Sequence, residues 1–172
     1  MRSGGLFLVI VGAAIVAGGL LGPQWMYRVF AAGFGAAFVA LALFRRRLTR
    51  PLGVLTRTQR LAMPAAISLE IALIILVLLV FRADLAQGQT RNFTLAILLA
   101  VGVHFLVFAL SSGPLMLWLA ALCCANALLG MAMPTLPLAG IWIADGSLKL
   151  AVGIVMLRTA VAARASLLMN GS

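Results

Sequence analysis

The chain has 172 residues, of which 65% are hydrophobic and 9% are charged, and its mean hydropathy is +1.19. These values lie far from those of water-soluble domains and predict an integral membrane protein with one transmembrane domain. The net charge of +10 does not indicate nucleic-acid binding, because most arginines occupy short segments between apolar runs, where they orient a protein in a membrane.

Six apolar runs have about the length that crosses a bilayer, so we predict an all-α bundle of six transmembrane helices. The runs cover about residues 5–22, 29–44, 61–81, 93–110, 115–133 and 138–157. The second and fourth runs are short, and their helices are expected to extend into flanking residues. Gly22-Pro23 closes the first run and Gly113-Pro114 separates the fourth from the fifth, because proline lacks an amide hydrogen and restricts the preceding residue.

Small residues recur at four-residue spacing in the first two runs. The two stripes are Ala14, Gly18 and Gly22, then Ala32, Ala36 and Ala40. Such stripes let helix backbones approach closely in lipid. They predict either packing of the first helix on the second or contact with another subunit.

The arginines predict that both termini face the cytoplasm. In that orientation nine arginines lie inside, Arg2, Arg45, Arg46, Arg47, Arg50, Arg57, Arg60, Arg158 and Arg164, and three lie outside, Arg28, Arg82 and Arg91. The six arginines of residues 45–60 are a topology signal, with contact to anionic lipid headgroups or a cytoplasmic partner as the alternative.

Five polar residues fall near the middle of the last four runs. They are Glu70, His104, Asn126, Asp145 and Lys149. A charged residue at that depth costs roughly 2.5–3.5 kcal/mol on insertion scales, so we expect these residues to face one another in a polar pocket near the midplane. We predict that they bind a substrate or ion, with Ser111, Ser112 and Cys123 as secondary candidates.

Asp145 and Lys149 are four residues apart and therefore lie on one face of the sixth helix. The two charges either only neutralise each other and fix packing, or form an ion pair for which a polar substrate competes. Asn126 likewise either orients a substrate or only joins helices by hydrogen bonds. The sequence leaves both questions open.

Charge counting indicates how such a pocket would behave. Ionised Glu70 and Asp145 with Lys149 and a neutral His104 leave one uncompensated negative charge, which is costly at low dielectric. A proton or a small bound cation relieves it, and a neutral His104 bonded to a backbone carbonyl is the simpler alternative. We therefore expect a site whose occupancy depends on protons or small cations.

A faint repeat links the third and sixth runs, since residues 68–73, SLEIAL, align with residues 147–152, SLKLAV. A three-helix unit used twice predicts a 3+3 inverted repeat, an arrangement common in secondary transporters.

The adjacent cysteines Cys123 and Cys124 are interpreted as small packing residues, because neighbouring helical positions project about 100° apart and disfavour a disulfide between them. A thiolate nucleophile or metal ligand would need a partner, and His104 is the only histidine. We predict no metal site and no cofactor.

The run His104-Phe105, Asn126, Gly130, Pro134, Asp145, Lys149 and Gly153 resembles a family of small bacterial membrane proteins known only as a domain of unknown function. The resemblance covers residues 93–157. It implies a compact protein of the bacterial inner membrane and no particular activity.

Three classes of function fit the sequence. The first is a transporter or channel for a small polar solute or ion, and its variant is the substrate-binding subunit of a vitamin-type uptake system. The second is a non-catalytic assembly subunit that pairs with itself or with a membrane partner. An intramembrane enzyme ranks last, because the chain has no paired catalytic carboxylates, metal cluster or phosphate-binding glycine loop.

Overall fold

A computed structural model describes residues 2–48 and 57–169, with side chains described at 3–44, 61, 64–110 and 112–159. Within these ranges the chain forms seven helices and no strand. The helices are α1 (Arg2–Leu21), α2 (Pro23–Leu48), α3 (Arg57–Val80), α4 (Arg82–Ala86), α5 (Thr90–Ser112), α6 (Pro114–Ala132) and α7 (Leu138–Met169).

Five of these helices, α1, α2, α5, α6 and α7, are long and apolar enough to cross a membrane. The apolar part of α3, Pro64–Val80, is shorter and lies near the lower limit of about 17 residues for a spanning helix. The short helix α4 connects α3 to α5. The chain is therefore an all-helical protein of the membrane-bundle type, as the hydropathy predicts.

The helix boundaries agree with the predicted lengths of the apolar runs and with the positions of the two Gly-Pro pairs. Helices α2 and α5 extend beyond the apolar runs 29–44 and 93–110, which confirms that flanking residues lengthen the two short runs. Gly22 and Gly113 have φ values of 98° and 88°, in the left-handed region that glycine adopts without steric cost. Each is followed by a proline that begins the next helix, where a missing amide hydrogen breaks no helical hydrogen bond.

The chain forms two compact units. The first unit contains Met1–Leu52 and Trp142–Ser172, and the second contains Gly53–Ile141. The first unit thus combines α1, α2 and most of α7, whereas the second combines α5 and α6 with α3 and α4. In the first unit a Gly-Pro turn joins α1 to α2, and α7 joins them from the end of the chain. In the second unit a Gly-Pro turn joins α5 to α6, and α3 and α4 precede them in sequence. The predicted 3+3 inverted repeat stays a prediction.

In the first unit, α1 packs against α7 through glycines. Gly5, Gly12 and Gly19 are seven residues apart along α1, and a methyl group added at Gly12 would lie 2.6 Å from the amide nitrogen of Leu150. A methyl group added at Gly153 would lie 2.8 Å from the carbonyl oxygen of Gly5. The two helix backbones are therefore in direct contact, an approach that small residues permit in lipid.

The first small-residue stripe packs within the unit. A methyl group at Gly18 would lie 2.9 Å from the carbonyl oxygen of Met26, so α1 contacts the start of α2. Ala32 and Ala36 do not pack on α1, because both are exposed while Ala37 is fully buried, so contact of this stripe with another subunit stays a prediction. Neighbouring helical residues point about 100° apart, so the face of α2 that packs is one residue removed from the stripe.

In the second unit, α6 packs against α5, and α3 packs against α5. Leu95, Leu119 and Cys123 are fully buried in this core. A methyl group at Gly102 would lie 2.7 Å from Sγ of Cys124, so glycine also brings α5 and α6 together. Packing of α3 on α5 brings the polar residues of these two helices within reach of each other.

We predict that Gly12→Ala destabilises the protein by about 1–3 kcal/mol, because the added methyl group meets backbone atoms of α7 that have no rotamer to change. The matched control is Gly35→Ala on α2, where an added methyl group meets no atom within 4 Å. The measurement is the melting temperature of each variant, taken as the temperature at which half of the protein is no longer monodisperse in detergent. Equal melting temperatures for the two variants would show that the α1–α7 approach is wrong.

Candidate functional site

The five predicted polar residues are divided between the two units. Glu70, His104 and Asn126 belong to the second unit, whereas Asp145 and Lys149 belong to the first. A single pocket shared by all five stays a prediction.

In the second unit, Glu70 of α3 lies beside His104 of α5. The Nε2 atom of His104 is 3.9 Å from Oε2 of Glu70, which is too long for a hydrogen bond but within the range of an ion pair once the imidazole is protonated. The His104 side chain is 6% exposed and the Glu70 side chain 23% exposed. The chain therefore places a titratable base and a carboxylate together on two packed helices.

The surroundings of His104 are aromatic. Its ring centroid lies 4.4 Å from that of Phe105 and 5.4 Å from that of Phe108, the latter in an edge-on arrangement. An apolar environment strengthens the interaction between a protonated imidazole and a nearby carboxylate, because little solvent screens it. One proton thus changes the charge of this pair from negative to neutral.

Asn126 of α6 bonds to the backbone. Its side-chain Nδ2 donates to the carbonyl oxygen of Ile141 at 2.9 Å, within the second unit. This contact is the helix-joining role that the sequence left as one of two alternatives. It occupies one donor and leaves the amide oxygen for a second interaction.

In the first unit, Asp145 and Lys149 form a buried ion pair on α7. Oδ2 of Asp145 accepts a hydrogen bond from Nζ of Lys149, and the two residues are 0% and 2% exposed. Because the acid and the base are four residues apart on one helix, the pair is neutral without help from another helix. In such a pair the attraction between the two charges offsets the cost of removing them from water, and removal of one residue leaves an uncompensated buried charge.

The sequence interpretation missed the role of Arg91, which was counted only as a topology charge. Its guanidinium nitrogens donate to the carbonyl oxygens of Leu136 at 2.8 Å, Gly130 at 3.0 Å and Met133 at 3.3 Å. These carbonyls end α6 and form the following loop, where a helix lacks internal partners for its last oxygens. Arg91 lies at the start of α5 and 39 residues before Gly130 along the chain, so no local sequence signal indicates this contact.

The remaining candidates contribute less. Cys123 is fully buried and Cys124 is half-buried, and neither forms a disulfide, in agreement with a packing role. Ser112 is half-buried at the end of α5, whereas the side chain of Ser111 lies outside the described residues. So do the side chains of Arg45, Arg46, Arg47, Arg57 and Arg60, as well as the whole of Arg50, so a lipid or partner contact there stays a prediction.

Among the residues that the structure describes, no group of three or more His, Cys, Asp and Glu side chains is arranged to hold a metal ion.

Residues 1–166 match the model of a family described as a family of unknown function, DUF6609. The chain belongs to this family. The match extends the resemblance from residues 93–157 to almost the whole chain, so the first three helices are part of the family pattern as well. No curated protein and no solved structure matches the chain.

We predict that Lys149→Met alone destabilises the protein by about 3–5 kcal/mol, because it leaves the buried Asp145 carboxylate without its partner. The double variant Asp145→Leu/Lys149→Met removes both charges and is expected to recover most of that loss. Thermal survival in detergent compares the two. A double variant as unstable as the single one would show that the pair does not act by mutual compensation.

Proposed function

We propose that the protein is a membrane transporter or channel for a small polar solute or ion, and that protonation of the Glu70–His104 pair controls it. The observation that carries the proposal is the 3.9 Å approach of a buried histidine to a carboxylate on another helix of the same unit. Ionisable residues inside a membrane are costly and in general mark ion or proton pathways.

The two pairs differ in their formal charge and in the number of helices that they join. Asp145 and Lys149 are neutral together and lie on a single helix, so they suit a fixed structural element. Glu70 with a neutral His104 carries one negative charge, and it becomes neutral when His104 takes up a proton or when a cation binds. The second pair therefore has the property that proton coupling requires.

The pair also joins two elements, since Glu70 lies on α3 and His104 on α5. A change in its charge alters the attraction between these helices, and an altered attraction shifts the equilibrium between two helix arrangements. This link between charge and packing supports gating by protons rather than a passive polar contact.

The second candidate function is a non-catalytic assembly subunit. The hydrogen bond from Asn126 to the backbone of Ile141 favours it, because that contact uses a polar side chain to join helices. The self-neutralised Asp145–Lys149 pair fits this role equally well. The assembly function predicts a protein that binds a membrane partner and conducts nothing.

Reconstitution into liposomes that contain a pH-sensitive dye tests the proposal. With an imposed potassium diffusion potential, we expect protons to enter protein-containing liposomes faster than empty ones. Glu70→Gln and His104→Gln are each expected to lower that rate at least about tenfold, since groups that take part in proton transfer contribute factors of about 10²–10⁴. The control is Asp84→Asn, which changes an acidic residue of the short helix α4.

Two results would contradict the proposal. One is a proton flux equal to that of empty liposomes at every pH between 5 and 8, the range in which histidine titrates. The other is an unchanged flux in both the Glu70→Gln and His104→Gln variants. Absent flux together with a co-purifying membrane partner would favour the assembly subunit.

We further propose that the protein lies in a bacterial inner membrane with both termini in the cytoplasm. Nine arginines on the inside against three on the outside support this orientation. A green fluorescent protein fused to the C-terminus is expected to fluoresce, whereas alkaline phosphatase at the same position is expected to be inactive. An active phosphatase fusion would reverse the orientation.

A further inference from the structure

Two polar atoms of α7 in the first unit are buried and have no hydrogen-bond partner among the residues that the structure describes. They are Oδ1 of Asp145 and Nε1 of Trp142. Asp145 is 0% exposed and Trp142 is 3% exposed, so bulk solvent does not reach either side chain. Buried polar groups are nearly always hydrogen-bonded, and an exception requires an explanation.

The two side chains lie on one face of the helix. Trp142 and Asp145 are three residues apart, a spacing at which helical side chains are neighbours. The Lys149 ammonium occupies Oδ2 of Asp145, so the free carboxylate oxygen is Oδ1. An unused donor and an unused acceptor therefore occur within one turn of α7.

The packing around Trp142 is aromatic and tight. Phe30 and Tyr27 each approach the indole edge-on with ring centroids 5.9 Å from that of Trp142, and a methyl group at Gly19 would lie 3.2 Å from Cδ1 of Trp142. No neighbour in the part of the chain that the structure describes accepts a hydrogen bond from Nε1 of Trp142. The indole N–H is a donor only, and its partner must accept.

We propose that Trp142 and Asp145 form a buried binding site for one neutral hydroxyl group, carried by water or by a small alcohol. A hydroxyl oxygen accepts from Nε1 of Trp142 while its hydrogen is donated to Oδ1 of Asp145. An anion would accept from the indole but meet the carboxylate, and a metal cation would bind the carboxylate but meet the indole hydrogen. The Asp145–Lys149 pair is already neutral, so a neutral ligand keeps the charge balanced. The site does not depend on the proposed transport.

The test uses the full-length protein in detergent with Trp25→Phe and Trp118→Phe. Trp25 and Trp118 are 44% and 68% exposed, and their replacement leaves Trp142 as the single indole of a chain with three tryptophans. With the indole nitrogen labelled, nuclear magnetic resonance detects cross-relaxation between the N–H proton and a held water molecule. We expect such a cross-peak, or a saturable shift of the indole resonance when methanol is added.

The two expected signals distinguish the sources of the hydroxyl group. A water cross-peak that methanol leaves unchanged assigns the site to water, and its replacement by a methanol signal assigns the site to small alcohols. The absence of both signals in the protein with Trp142 alone overturns the proposal, whether or not further variants fold.

Asp145→Leu/Lys149→Met in the same background tests the acceptor. This double variant removes the carboxylate without leaving an unpaired charge, and we expect loss of the cross-peak. The control is Ser147→Ala, at an exposed position of the same helix, which is expected to retain it. A cross-peak that persists in the double variant would show that Asp145 is not part of the site and would overturn the assignment.

Discussion

Charge buried in an apolar interior must be compensated within the protein, and α7 meets this requirement inside a single helix. Because Asp145 and Lys149 bond to each other one turn apart, this face of the helix is neutral before any other helix packs on it. The neighbouring glycines then allow α1 to approach to backbone contact at Gly12 and Gly153. Direct packing of this kind matters in lipid, where no hydrophobic effect draws helices together.

The second unit differs from the first in the placement of its ionisable residues. Glu70 and His104 come from two helices, and their sum of charges depends on one proton. A protein that needed only rigidity would be served by the α7 arrangement, in which both charges lie on a single helix. The first unit therefore holds its ion pair on one helix, whereas the second unit brings its carboxylate and imidazole together from two helices.

Local signals in the sequence predicted much of the fold. Contacts between segments that are distant along the chain were not predicted. Gly22-Pro23 and Gly113-Pro114 determine helix ends through their own backbone chemistry, so they were predictable. The Gly12 contact with α7 depends on residues more than a hundred positions away, and the seven-residue glycine spacing has no meaning until the partner helix is known. Arg91 was misread because a basic residue at a membrane boundary also fits the orientation rule, which hides its bonds to the end of α6. The proximity of Glu70 and His104 was predicted from the cost of an isolated charge in a membrane. The partner of Asn126 was not predicted, because any backbone carbonyl oxygen can accept a hydrogen bond from an amide.

His104 is the only histidine in a chain with three acidic residues. Most proteins carry several groups that titrate near neutral pH, so a pH-dependent signal has to be apportioned among them. Here the imidazole resonances of the intact protein report on one known position without mutagenesis or selective labelling. Ionisable residues are rare in this protein because they are costly in lipid, and the single histidine therefore serves as an intrinsic site-specific probe.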